Sequence, residues 1–452
     1  MLTGLEVKEV LEGMLPRTLI EEWAQTLGVV ERQRKLKVVE LVYAAVLASS
    51  SPSGAVLADV MRAYFEEFKS DESEPTRKVA RSAFYRWFDE ALLELMRKLA
   101  AHVQSYVSSL APDLSKPMSI ASDWWIVDST TCKLNDSFIE MYPGCGEYAA
   151  MKVHKTLSVG TGAAMGWHIS AAREHDSRHL EIDESWRGRG LLADLGYASI
   201  ARLSACDRHG AYYVIRLKES WKPRVKEIHR GEVKGTLMGE ADFDALLDEE
   251  TIILDGKAVD ATVILGAAAL EARMVGVSTP KGYCWYLTNL PRRIGPVQVG
   301  DIYRVRWEVE LNFKVDKSVH VLGHVGRGPA RLENPHALET MVHASLVATA
   351  IINVLVFRHL QNIPAQGPKG RGKVAPLHQV MLAKWIASAA PRIAEMLVDP
   401  TYGIPGRWQC LADLLNYCGV DPNWRRRPSV LDQMRGWKPQ TKPKRGAATK
   451  PK

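Results

Sequence analysis

One segment of the chain carries several side chains that could bind phosphate or metal. Residues 303–317, YRVRWEVELNFKVDK, contain no Pro or Gly and many Glu, Lys and Arg residues, so we predict a helix. At about 100° per residue, one face would carry a phenol, three cations and one carboxylate: Tyr303, Arg306, Lys314, Lys317 and Glu310. Such a face could hold phosphates beside an acid, although on charge alone a solvated face with i,i+4 ion pairs is the commoner explanation.

Two further acids follow short apolar runs. Residues 124–127 precede Asp128 and residues 190–193 precede Asp194, which is the pattern of buried strands whose ends deliver a carboxylate. Joined by Glu310 from the helix, these acids form the arrangement that two-metal phosphoryl transfer needs. Carboxylates about 4 Å apart repel by about 4 kcal/mol at an effective dielectric of about 20. Hard oxygen ligands favour Mg²⁺, so we predict two Mg²⁺ ions, which Mn²⁺ could replace.

The spacing in the helix resembles a known signature. The segment contains Tyr, Arg, Glu and Lys separated by two, three and six residues. This spacing is similar to the signature of DDE transposases of the insertion-sequence-four family, relatives of the transposon-five and transposon-ten enzymes. Trp307 and Lys314 also look like residues of the transposon-five helix. The resemblance covers most of residues 110–360, and it implies a ribonuclease-H-like core with a catalytic, metal-binding triad of Asp128, Asp194 and Glu310.

The same resemblance implies roles for neighbouring side chains. Trp307 would stack on a base flipped out of a DNA hairpin intermediate. Aligning Leu287 and Thr288 on the Leu-Thr of the family places Cys284 where transposon-five has tryptophan, so we assign the second stacking position to the adjacent Trp285. The remaining positions would bind phosphates of the transposon end: Tyr303, Arg306, Lys314 and Lys317.

Two other groups of residues could be assigned to a catalytic or metal site. Asp207 lies in the sequence Cys-Asp-Arg, which resembles the sequence around the second acid of the family. We prefer Asp194, because it ends an apolar strand whereas Asp207 ends a predicted helix. A polar cluster has helical metal-site spacing, but a polar helix start is the better interpretation: His175, Asp176, His179 and Asp183.

The elements that would position these residues predict an α/β multidomain protein. Three β-rich runs, a helix at 178–186, a strand at 190–194, a helix at 198–207 and a strand at 212–218 follow the order of a ribonuclease-H-like core. We assign this catalytic core to residues 113–218 and 301–362. An all-β insertion at residues 219–300 would interrupt it, and a C-terminal helical domain at residues 363–434 could support dimerisation.

Residues 1–112 are predicted to be a helical domain, and the resemblance implies that this domain binds the transposon end. Within it, residues 76–88, TRKVARSAFYRWF, mix four basic residues with four aromatics. A helix-turn-helix could present this mixture to DNA. A basic helix whose aromatics belong to the core explains the pattern equally well.

Charge and composition narrow the class of protein. The net charge is +7, and residues 435–452 carry seven basic and no acidic residues, so the excess lies in a tail that we predict to be disordered. The six cysteines show no CxxC pair, which favours a reducing cytoplasm. The apolar run at residues 346–357 is too short for a membrane span, and no export signal is recognisable. We expect a cytoplasmic, nucleoid-associated protein without a membrane partner.

Together these features predict a cut-and-paste DNA transposase. Mg²⁺-dependent hydrolysis would free a 3′ hydroxyl, which would form a hairpin and, after resolution, join to target DNA. The partners would be the terminal inverted repeats, the target DNA and a second copy of the chain. The alternatives are a ribonuclease-H-like nuclease without strand transfer and a domesticated, non-catalytic DNA-binding protein, although an intact acidic trio argues against the second.

Overall fold

The structure is a computed structural model of the 452-residue chain. It describes residues 1–29, 37–50, 56–67, 81–230, 241–242, 258–267, 269–280, 282–319, 322, 334–364 and 373–438. Most of the predicted basic tail and the first five residues of the segment 76–88 lie outside the described residues.

The described residues form fourteen α-helices and a ten-stranded sheet. The helices are α1 (Gly4–Met14), α2 (Arg17–Thr26), α3 (Val38–Leu47), α4 (Val56–Glu67), α5 (Arg81–Tyr85), α6 (Glu90–Ser108), α7 (Ile200–His209), α8 (Pro296–Arg304), α9 (Trp307–Ser318), α10 (Pro335–Gln361), α11 (Gln379–Ser388), α12 (Ala390–Val398), α13 (Pro405–Cys418) and α14 (Val430–Met434). The strands are β1 (Trp124–Lys133), β2 (Ala150–Ser158), β3 (Ala164–Ala171), β4 (Gly190–Ala193), β5 (Tyr212–Arg216), β6 (Arg224–Arg230), β7 (Ala241–Asp242), β8 (Val259–Leu265), β9 (Leu270–Thr279) and β10 (Gly282–Thr288).

The sheet is mixed, with strand order β3-β2-β1-β4-β5-β10-β9-β8-β6-β7. Strands β1, β2 and β3 form an antiparallel meander, whereas β4 runs parallel to β1, and β5 runs parallel to β4. The first half of β1 and all of β4 are buried and apolar, as expected of parallel strands covered on both faces. The strands of residues 219–300 extend this same sheet, because β10 pairs with β5.

The helix predicted at residues 178–186 is wrong. The segment instead forms two 3₁₀ turns, Asp176–His179 and Glu184–Trp186. Each turn is capped by the preceding side chain: the backbone N–H of Ser177 donates to His175 Nδ1 (3.2 Å), and that of Ser185 donates to Asp183 Oδ1 (2.9 Å). Such local side-chain bonds compete with a continuous helix.

Helices from both ends of the chain share one hydrophobic core. Residues of α1, α3, α6, α10, α12 and α13 belong to a single buried cluster. Helix α1 crosses α13 so closely that a Cβ on Gly4 would lie 2.4 Å from the backbone nitrogen of Gln409, so only glycine fits there. The described helices of residues 1–112 and helices α11 to α13 therefore pack together in one layer.

The aromatic side chains after residue 80 lie in this core. Phe84 and Phe88 are fully buried, and the Phe84 ring lies 5.3 Å from that of Trp87 and 5.9 Å from that of Tyr64. For the described part of the segment, the structure therefore favours the core interpretation over a DNA-facing surface.

Helix α10 is the centre of the helical layer. Within the described part of the chain, it is the one helix long and apolar enough to cross a membrane, and 89% of its apolar window is buried inside the protein. That burial is what the core helix of a folded domain requires.

Candidate active site

Asp128 and Asp194 lie side by side on neighbouring strands. Asp194 directly follows β4, whereas the prediction that Asp128 ends its strand is wrong, because β1 continues to Lys133 in pairing with β2. Val127 of β1 is the parallel-register partner of Ala193 of β4, and each aspartate is the next residue in its chain. Neighbouring strands lie about 4.8 Å apart, so this register brings the two carboxylates together. The Asp128 side chain is 18% exposed, and Asp194 is exposed.

The segment that carries Glu310 is two helices, not the one predicted. The backbone hydrogen bonds change to the 3₁₀ pattern at Val305 and Arg306. Their N–H groups donate to the carbonyls of Ile302 (3.1 Å) and Tyr303 (2.9 Å), three residues earlier in the chain. The helical spacing therefore breaks between Tyr303, which is buried at the end of α8, and Glu310 in α9. The five side chains do not share one uniform helical face.

Arg306, at the start of α9, bridges two of the three acids. Its Nη1 donates to Asp128 Oδ2 (3.1 Å), and its Nη2 donates to Glu310 Oε1 (2.5 Å). The guanidinium group is only 12% exposed, so solvent screens these ion pairs weakly. Arg306 thus acts as an internal counter-ion, and it shows that the carboxylates of the strand and the helix converge on a common cation.

Burial dominates the electrostatics of Asp128. It raises the pKa of Asp128 to about 6, and the nearby charges of Asp194 and Glu310 add to this rise. The backbone N–H of Ser129, which donates to Asp128 Oδ1 (2.8 Å), and the charge of Arg306 oppose it. A buried carboxylate between two others is a group that gains much from a bound cation.

The all-oxygen donor set of Asp128, Asp194 and Glu310 fits a hard divalent cation. Among the described residues, however, no three His, Cys, Asp or Glu side chains are already arranged as a metal site. The guanidinium of Arg306 lies between Asp128 and Glu310 instead. Metal binding at these acids therefore requires Arg306 to turn away.

The raised pKa of Asp128 makes the stability of the metal-free protein depend on pH. The folded chain keeps this proton up to about pH 6, whereas the unfolded chain releases it near pH 3.9, so stability is lost as pH rises from about 4 through 6. Asn cannot ionise, so we expect Asp128→Asn to gain up to about 3 kcal/mol over the wild type between pH 4 and pH 8. Urea unfolding in EDTA measures this, and a pH-independent difference between the two proteins would contradict it.

A cavity of about 560 Å³ opens beside Asp194. Trp307, which is 58% exposed, lines it together with Cys284 and Tyr286 of β10. Trp285 does not, because side chains alternate along a strand: its ring packs on the opposite face of the sheet, over Gly276 and the core that contains Trp125. Trp285 is therefore not placed to share a base with Trp307.

Two further predicted cations are exposed on the helix that carries Glu310, and one cation that was not predicted lines the cavity. Lys314 and Lys317 are exposed on α9. Arg216, at the end of β5, lines the cavity with Asp194, and its position after an apolar strand was a usable signal. Pro428, Ser429, Val430 and Gln433 also line the cavity, and no local sequence pattern indicated that this segment returns to it.

The rival acid Asp207 lies elsewhere. Helix α7 leads into β5, so the end of α7 lies at the sheet edge opposite to Asp194. There Asp207 accepts a hydrogen bond from Asn289 Nδ2 (2.7 Å).

The polar cluster after β3 supports the strand that carries Asp128. Asp176 pairs with Lys152 Nζ (2.8 Å) and accepts from Ser129 Oγ (2.9 Å), and the centroid of the His179 ring lies 4.0 Å from that of His154, with the two rings tilted by 38°. These contacts fix the residue that follows Asp128 in β1.

A buried ion pair fixes α9 against the sheet. Lys155, the register partner of Asp128 on β2, is 1% exposed and donates to Asp316 (2.5 Å) and Asn312 (2.7 Å) of α9. Asp316 is fully buried and also accepts from Thr349 Oγ1 of α10 (2.8 Å). The helix that presents Glu310 is thus tied to both the sheet and the helical layer.

Sequence comparison defines the class of protein. The Transposase DDE domain family matches residues 124–349, which is half of the 452-residue chain. The chain therefore belongs to this family, and the prediction of a DDE transposase, an enzyme that acts on DNA, is confirmed.

Relatives of known designation agree with this assignment. The chain is 23% identical over 403 residues to the transposase for insertion sequence element IS231C of Bacillus thuringiensis subsp. berliner, covering 78% of this chain and 80% of the relative. It is 21% identical over 323 residues to the transposase for IS1151 of Clostridium perfringens, covering 62% and 67%. A cryo-EM structure of the piggyBac transposase synaptic complex with hairpin DNA aligns over 95% of this chain and 87% of its own, but a TM-score of 0.45 at 10% identity is too low to establish a shared fold.

Proposed function

We propose that the chain is a cut-and-paste transposase whose catalytic triad is Asp128, Asp194 and Glu310. The observation that carries this proposal is the convergence of the three acids. Asp128 and Asp194 are side by side in the β1/β4 register, and Arg306, 178 residues after Asp128 in sequence, joins Asp128 to Glu310. Strands β1 to β5 also have the order and directions that we expect of a ribonuclease-H-like core.

Asp128, Asp194 and Glu310 would hold two Mg²⁺ ions, which would supply activation of the attacking oxygen and stabilisation of the leaving oxygen of the scissile phosphate. The residues around these acids position the DNA. Arg306, once released from Asp128 and Glu310, can offer a bidentate fork to a phosphate next to Asp194, and Lys314 and Lys317 add point charges along α9. Trp307 exposes an aromatic face at the cavity, where a flipped base of a hairpin intermediate would stack.

The wider assembly follows from the same proposal. End recognition would lie in residues 1–112, and a homodimer would hold two inverted repeats and the target DNA in the cytoplasm. The helices after residue 363 pack with α1 and α3, so a dimer contact there would couple the two ends of the chain.

A strand-transfer assay with pre-cut transposon ends tests the proposed function. The proposal predicts joining of the 3′ hydroxyl to target DNA in the presence of Mg²⁺ or Mn²⁺. Cleavage without joining would identify a nuclease instead.

Lys317 provides a test of phosphate binding. If its exposed ammonium contacts one DNA phosphate, Lys317→Ala should weaken DNA binding and reduce the slope of log K against log [salt] by about 0.9. Fluorescence anisotropy in EDTA measures this, with Lys384→Ala on α11 as the control of equal charge. Identical slopes for the two variants would exclude a phosphate contact by Lys317.

A further inference from the structure

The last described segment of the chain returns to the candidate site. We call residues 421–437 the C-terminal strap. At its start, the backbone N–H of Asp421 donates to the carbonyl of Pro376 (3.0 Å). At its end, Trp437 is 1% exposed, and its Nε1 donates to the carbonyl of Val374 (2.9 Å). Both ends of the strap are therefore fixed to the segment before α11.

The middle of the strap packs against α9. Leu431 is buried in the same core as Val309 and Phe313, on the helix that presents Glu310. Glu308 of α9 and Ser429 of the strap line the same cavity. These contacts hold the strap beside the helix that begins with Trp307.

The strap also forms part of the cavity beside Asp194. Pro428, Ser429 and Gln433 line it together with Asp194 and Arg216. Its volume of about 560 Å³ lies within the range of about 300–1,000 Å³ that is usual for small-ligand sites. The chain that directly precedes Pro428 therefore lies next to a cavity that Asp194 also lines.

Three arginines directly precede Pro428. Arg425, Arg426 and Arg427 are all exposed, and none forms an ion pair or a side-chain hydrogen bond with a residue that the structure describes. The Arg425 guanidinium lies 4.6 Å above the Trp424 ring. Three adjacent, uncompensated cations repel one another, and a polyanion at this position would relieve that repulsion. Arginine forks match phosphate oxygens in a bidentate geometry.

We propose that Arg425, Arg426 and Arg427 bind phosphates of the DNA strand that passes Asp194, so that the strap forms a second wall of the DNA-binding groove beside α9. The proposal rests on the proposed function, and it adds a DNA contact from the far end of the sequence. The strap then links the C-terminal helices to the position of the scissile strand.

The test compares three triple variants of the full-length protein. The first replaces Arg425, Arg426 and Arg427 by alanine, and the second replaces them by lysine. The third is a control of equal charge change on the helical layer: Lys8→Ala, Lys384→Ala and Arg392→Ala. Binding of fluorescein-labelled duplex DNA is measured in EDTA over a range of salt concentrations, together with the solution mass of each variant.

We expect the arginine-to-alanine variant to lower the salt slope by about 2 to 3, at about 0.9 for each phosphate contact. The lysine variant should keep the wild-type slope, and the helical-layer control should change it by less than one contact. A slope equal to that of the control would overturn the proposal, as would a change in solution mass without a change in slope, since the strap would then serve a second copy of the chain. Loss of cleavage in Asp194→Ala is a separate readout, so the proposal for the strap and the proposal for the triad are tested independently.

Discussion

We expect the Asp194→Ala variant to lose metal-dependent DNA cleavage while it keeps DNA binding. The carboxylate lies beside Asp128 at the end of β4, and it is exposed, so its removal leaves no cavity in the core. If it holds a catalytic cation, its loss removes several kcal/mol of transition-state stabilisation, which corresponds to a rate roughly a thousandfold lower. Single-turnover cleavage of an end-bearing duplex measures the effect.

Asp207→Ala is the matched control for this experiment. Asp207 is also an aspartate near the end of a core element, but it lies at the opposite edge of the sheet and bonds to Asn289. We expect its cleavage rate to remain within a few-fold of the wild type. Full activity in Asp194→Ala, or loss of activity in Asp207→Ala alone, would show that Asp207, not Asp194, is the second acid of the site.

We expect the second large effect in the free energy of unfolding. The Lys155–Asp316 pair is 1% and 0% exposed, so removing one partner leaves an uncompensated buried charge. Breaking such a pair costs about 3–5 kcal/mol. Asp316→Ala and Lys155→Met should each approach that loss in urea unfolding, whereas the double variant Lys155→Met/Asp316→Leu should recover much of it.

The exposed pair Lys226–Glu271 serves as the control. Its atoms are also 2.5 Å apart, but its side chains are 51% and 56% exposed. Such surface pairs contribute about 0.2–1 kcal/mol, so Glu271→Ala should have a small effect. A cost for Asp316→Ala no larger than this would mean that water reaches Lys155, and that the pair does not hold α9 in place.

Asp128 and Asp194 could be recognised from sequence because their signal is local. Each follows a short apolar run of the kind that predicts a buried strand, and the structure has β1 and β4 at those positions, although β1 continues past Asp128 to Lys133. The prediction of a helix at residues 178–186 was wrong for an equally local reason, since His175 and Asp183 cap turns instead of starting a helix.

Several features of the site depend on contacts that no local pattern encodes. The break at Val305 and Arg306 occurs in a good helix-forming sequence, and the bond from Arg306 to Asp128 joins distant segments. Trp285 directly follows Cys284 in β10, and consecutive residues of a strand point their side chains to opposite faces of the sheet. Nothing near Lys155 in sequence predicts that its partner is Asp316.

Anomalous diffraction from crystals soaked in Mn²⁺ tests the central claim most directly. The account predicts a manganese peak in contact with the carboxylates of Asp128 and Asp194, with Glu310 turned toward it and Arg306 no longer between Asp128 and Glu310. A peak away from these acids, or an Arg306 guanidinium that still bridges Asp128 and Glu310 at saturating Mn²⁺, would contradict it.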